Sequence, residues 1–139
     1  WRRFVDDAWL PARAAFEQDK LEDGARLFLD GVMGRPTLMQ LGRRAYQVIM
    51  DNAPEMKAET LANRYFPPFA CEDAARLTQP ALLFKGELSL PMFGMITDEL
   101  ARCIPGAAAP ITAPRAFHAM HVGNPEFYNQ VALDFLAQC

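Results

Sequence analysis

One serine, two histidines and three cysteines are all that 139 residues offer of the side chains that most often perform nucleophilic or metal chemistry. Cys71, Cys103 and Cys139 are too few and too widely spaced for a disulfide framework, and no C-x-x-C pair is available to hold zinc, so a reducing cytoplasm is the simplest compartment. Positive charge is also short. Fourteen Lys and Arg against seventeen Asp and Glu leave a net charge of -3, which excludes an electrostatic footprint for nucleic acid or an anionic membrane. Residues 1–70 hold ten basic and ten acidic side chains and residues 71–139 hold four and seven, so neither half carries a basic patch. No uninterrupted apolar stretch approaches the ~18 residues of a membrane span, and no charged leader with an apolar core opens the chain. The first residue, Trp1, falls inside a charged, helix-like stretch, and the expectation is a piece of a longer protein.

What is present is the composition of a folded domain, 51% hydrophobic and 22% charged, and this excludes disorder. Eleven prolines and eight glycines fall between periodic segments and mark their ends. The first half reads as helical. Ala12–Gln18 and Leu21–Met33 have helical spacing, with Leu21, Ala25, Phe28, Leu29 and Val32 on one stripe, and Gly34-Arg35-Pro36 closes the second. Thr37 with Gln40 has the capping-box pattern and predicts a helix to about Asn52 that buries Leu38, Leu41, Ala45, Val48 and Ile49. Pro54 opens another helix with Ala58, Leu61 and Ala62 inward. Pro67-Pro68 ends it, and a short helix spans Cys71 to Leu77.

The pattern changes at Pro80. Ala81 to Lys85, closed by Gly86, reads as a strand apolar on both faces, the usual state of a parallel strand. Pro91 opens a helix with Met92, Ile96, Leu100 and Cys103 on one face, and Pro105-Gly106 closes it. Ala107–Thr112 reads as an edge strand, because Pro110 has no amide proton to donate. The two strands are expected to pair in parallel through that helix. Asn124 as cap, Pro125 at the first helical position and Glu126 at the positive end of the dipole start a last helix, with Phe127, Val131, Phe135 and Leu136 inward.

Both histidines, His118 and His121, fall in the loop between the second strand and that helix. Such a loop, at the carboxyl end of a strand, is where open α/β sheets place site residues. The order from Pro80 to Leu136 is an apolar strand running into Gly86-Glu87, a helix ending at Ile104-Pro105, a short strand, His118, then Asn124-Pro125-Glu126-Phe127 and an amphipathic helix. This order resembles the C-terminal end of an α/β-hydrolase, and the upstream helices, including Asp23 to Asp30, resemble that family's cap. The resemblance implies an α/β fold with a helical cap over residues 1–78, followed by a βαβα portion of the hydrolase sheet over residues 79–139. It also implies that His118 is the general base that activates the nucleophile and later protonates the leaving group, with His121 lining the site and no cofactor. As a metal pair the two histidines lack a third ligand nearby.

Two positions depart from the family pattern. Phe117 stands before the histidine where glycine is common. The triad acid's position, three residues after Gly86, is Ser89, which cannot hold an imidazolium by charge, and Glu87 is the carboxylate beside it. Ser89 is also the only serine, and it does not sit in the G-x-S-x-G turn that would make it a nucleophile. No oxyanion-hole loop is recognisable either. The expected function is therefore that of the C-terminal portion of a hydrolase acting on an ester, lactone or related small apolar substrate through an acyl-enzyme. Its nucleophile is expected outside this chain, and its partner is a second copy or the nucleophile-bearing half. The alternative from another class is a non-catalytic, hydrolase-like receptor or helical binding module.

Overall fold

The computed structural model describes residues 1–62 and 68–138. The chain divides into two compact units, Trp1–Pro67 and Pro68–Cys139.

The described residues of the first unit form helices and the turns between them, with no strand. One helical run contains α1 (Arg2–Phe4), a wide turn over Val5–Trp9 and α2 (Leu10–Glu17). Pro11 lies inside this run rather than at its start. It has no amide to donate to the preceding turn, and the widened turn just before it absorbs the change of register. Next come α3 (Leu21–Met33), a single tight turn at Leu38–Gln40, α4 (Arg43–Asp51) and α5 (Ala53–Leu61). The core gathers Ala12, Phe16, Ala25, Leu38 and Ala53, all fully buried, with Phe28, Ile49 and Met56 packed around them. Gly24 makes this packing close, because a Cβ there would lie 2.4 Å from the Phe16 ring.

Two local expectations change here. Thr37 does not start a helix. The carboxylate of Asp30, on α3, accepts from the amides of Thr37 and Leu38 at 2.6 and 3.1 Å, and the chain makes one tight turn before Gly42 restarts it as α4. Displaced in this way, α4 leaves Ala45 and Val48 exposed and turns Tyr46, Ile49 and Met50 toward the core. On α5 the buried positions are Ala53 and Thr60, while Ala58 is exposed. The stop expected at Pro67-Pro68 falls in part outside the described residues.

The second unit runs α6 (Cys71–Ala74), β1 (Phe84–Gly86), α7 (Pro91–Cys103), β2 (Ile111–Ala113), α8 (Met120–Gly123) and α9 (Pro125–Leu136). The two strands pair in parallel, Phe84 opposite Ile111 and Gly86 opposite Ala113, with α7 between them in sequence. The α/β-hydrolase sheet expected from the resemblance is not formed, however. The described residues are 62% helix and 5% strand, and their sheet has two strands of three residues each. Pro110 explains the late start of β2, and the first cross-strand bond runs from the Ile111 amide to the Leu83 carbonyl at 2.8 Å. Ala81 and Leu82 lie outside the ladder, and no third strand among the described residues covers either edge. The face of α7 is also narrower than expected, since Ile96 is 51% exposed.

Cys71 and Cys103 form a disulfide, which corrects the expectation drawn from their spacing. Their 32-residue separation says nothing about the fold bringing the start of α6 to the end of α7, with Cα atoms 5.1 Å apart.

Candidate functional site: the His118 loop

The loop from Pro114 to Ala119 leaves β2 and lies against the turn that follows β1. Gly86 permits this, since a Cβ there would stand 2.4 Å from the Phe117 carbonyl oxygen and 2.5 Å from that of Ala116. The Glu87 amide donates to the Ala113 carbonyl at 3.0 Å and the Leu88 amide to that of Ala116 at 2.9 Å, so the two segments continue pairing beyond the ladder. The Glu87 carboxylate accepts from the Arg115 amide at 2.6 Å, at a residue with φ 55°. This bond supports a left-handed backbone that side chains other than glycine rarely adopt. From the far end, Asn124 caps α9 by accepting from the Phe127 amide at 3.3 Å. Its amide nitrogen also donates to the Pro114 carbonyl at 3.0 Å, so one side chain starts the helix and closes the loop.

His118 is presented on this frame. Its ring stacks on Phe93 of α7, with centroids 4.0 Å apart and planes 22° from parallel. The residue reaches solvent, yet the protein around the ring removes enough water to hold its pKa below the ordinary histidine value. Burial is the only cause of that shift, and among the described residues no carboxylate pairs with the imidazole. A neutral imidazole near pH 7 has one nitrogen ready to accept a proton, as a general base requires.

The other residues singled out from the sequence take different places. Glu87 is engaged with the Arg115 amide, so it positions the loop rather than the imidazole. Ser89 closes the turn after β1 through its amide, which donates to the Gly86 carbonyl at 3.1 Å, and its Oγ is buried without a hydrogen-bond partner among the described residues. His121, on α8, is exposed and meets the edge of Tyr128 at 6.1 Å, and Tyr128 in turn packs on Phe84 at 4.9 Å. The two histidines thus rest on different aromatic rings. No family model, no curated protein and no solved structure matches the chain. Among the described residues, no helix is long and apolar enough to cross a membrane.

A second cluster was missed by the sequence reading. Cys71, Glu99 and Cys103 are the one group of three metal-ligating side chains among the described residues, with their ligand atoms within 4.8 Å of one another. The sulfurs are joined to each other, so they offer no thiolate to a metal in this state. Arg102 lies beside them, bound to Glu99 at 2.6 and 2.8 Å. The four-residue step from Glu99 to Cys103 on one helix face was legible, but the approach of Cys71 was not.

Proposed function

We propose that the second unit is the histidine corner of a hydrolytic site for an ester, lactone or related small apolar substrate, as the resemblance to α/β-hydrolases implies. In this reading His118 takes the proton from a nucleophile that this chain does not supply and later returns it to the leaving group. The observation that carries the reading is the neutral, stacked imidazole of His118 at the carboxyl end of the paired strands. Glu87 and Asn124 hold the loop, and His121 and the buried Ser89 lie in the same unit without a direct role.

A second reading has its own support. The imidazole has no carboxylate partner among the described residues, and a base with nothing to stabilise its protonated form is a weak one. That favours a non-catalytic binding module in which His118 only contacts a ligand.

Two measurements test the hydrolytic reading. Titration of the His118 ring by NMR is expected to give a midpoint below about 6.5. With p-nitrophenyl butyrate, the 139-residue chain alone is expected to show no turnover above that of free imidazole. Turnover by this chain that disappears in His118→Ala would place the nucleophile inside it and overturn the division of roles. A midpoint at or above the ordinary value would mean that the ring is not desolvated by its neighbours, and the observation that carries the first reading would be lost.

A further inference from the structure

The Cys71–Cys103 bridge forms part of the wall of an apolar cavity of about 370 Å³. Phe69, Ala74, Met95, Ile96 and Leu100 make up most of the rest of the lining, and Phe69, Met95 and Ile96 are 63%, 72% and 51% exposed, so the cavity opens to solvent on greasy side chains. The bridge is not symmetric in its surroundings. Cys103 is 8% exposed, whereas Cys71 is more open. The guanidinium of Arg102 sits over both sulfurs, with Nη2 3.5 Å from Sγ of Cys71 and 3.6 Å from Sγ of Cys103. Glu99 fixes it there through two hydrogen bonds, and the Glu99 carboxylate stands 3.8 Å from Sγ of Cys103.

A cation adds little to a neutral disulfide but stabilises the thiolate that appears as the bond breaks, here against the repulsion of the Glu99 carboxylate beside Sγ of Cys103. A disulfide serving only as a brace needs neither this cation nor an open apolar cavity against its sulfurs. We propose that Cys71–Cys103 is a thiol–disulfide exchange site whose substrate is a small thiol with an apolar body, seated in this cavity. This inference stands apart from the role of His118.

The incoming thiolate attacks Sγ of Cys71, the more open sulfur. A new sulfur–sulfur bond forms there, the Cys71–Cys103 bond breaks, and its electron pair leaves on Sγ of Cys103 beside Arg102. A second thiolate then attacks the sulfur of the first thiol in the mixed disulfide, and Cys71 leaves as a thiolate. The two cysteine sulfurs take up the protons that the two thiols lost. The balance is two thiols oxidised to one disulfide and one disulfide reduced to two cysteines. Arg102 acts as a positioning residue for the leaving charge.

The test uses the full chain carrying Cys139→Ser, so that a single cysteine pair remains. Reduction under native conditions is followed by alkylation and intact mass, with benzyl mercaptan and 2-mercaptoethanol supplied at equal thiolate concentration. The expected result is a rate proportional to thiol concentration and at least ten-fold faster with benzyl mercaptan. Ile96→Glu, at an exposed wall position, is expected to bring the two thiols to similar rates, and Arg102→Gln to slow both several-fold. Equal rates in the chain without these two substitutions would overturn the proposal. So would a rate independent of thiol concentration, which would mean that reduction waits for unfolding, or a native chain in which Cys71 and Cys103 are not joined.

Discussion

The two units reach stability by different routes. Among the described residues the largest fully buried side chains, Trp9, Phe16, Leu38 and Thr60, belong to Trp1–Pro67. The second unit buries Ala74, Cys103, Ile104, Ala113 and Ala116, and leaves Phe84, Phe93 and Tyr128 partly open to water. A helical unit that encloses Trp9 and Phe16 can rely on apolar burial. A unit with a three-residue ladder and a core of mostly small side chains gains from a covalent bridge and from side chains that pin its loops. The same openness that weakens the second core leaves His118 and His121 exposed and Cys71 partly so, and both candidate sites fall where the packing is thinnest.

The sharpest way to break this contrast is Phe16→Ala. It empties the centre of the first core beside Gly24 and is expected to cost about 3–5 kcal/mol. Denaturant unfolding followed by the fluorescence of Trp1 and Trp9, both in the first unit, should show the loss, while NMR signals of His118 and Tyr128 stay in place. Movement of those signals would mean that the two units share one stability.

The double variant Cys71→Ala/Cys103→Ala is the converse. Removing a bridge that closes a loop of this size is expected to cost the second unit about 2–4 kcal/mol, with no effect on the first. Calorimetry of the double variant and its parent would check this, and an unchanged second unit would show that burial alone holds it.

Asn124→Ala removes the cap of α9 and the tie to the Pro114 carbonyl together, for an expected loss of about 1 kcal/mol. Hydrogen exchange should quicken at both the first turn of α9 and the Pro114–Ala119 loop. Quickening at the helix alone would mean that Asn124 does not hold the loop.

The smallest effect is on pH dependence. The folded state holds the His118 pKa below its unfolded value, so on acidification the unfolded chain binds the proton first. The stability this gives is present above about pH 6.5 and is lost as the pH falls through the lowered folded value. Thermal scans from pH 7 to pH 5 should show the second unit weakening, and His118→Gln should flatten the slope. The first unit contains no histidine and should show no such step.

Where a residue's role depended on its immediate neighbours, the amino-acid order was enough. Leu21–Met33 is helical over the range its apolar spacing implies, because i, i+3 and i+4 positions share a face whatever the rest of the chain does. Asn124-Pro125-Glu126 starts α9 for a similarly local reason, since an N-cap acts within three residues. The parallel meeting of β1 and β2 across α7 was also legible, from a strand, helix and strand of suitable length.

What lay beyond the sequence were the side-chain hydrogen bonds and the disulfide, whose partners are set by how the elements pack. Thr37 and Gln40 carry a capping-box pattern, yet Asp30 of a neighbouring helix takes the Thr37 and Leu38 amides and makes a turn in place of a helix start. Glu87 is a carboxylate near the expected acid position, and only the approach of the Arg115 amide decides that it holds backbone. Cys71 and Cys103 are far apart in the chain, and their bond exists because α6 and the end of α7 pack together. Local order sets propensity and spacing, whereas hydrogen bonds and disulfides go to whichever partner folding brings within a few ångströms.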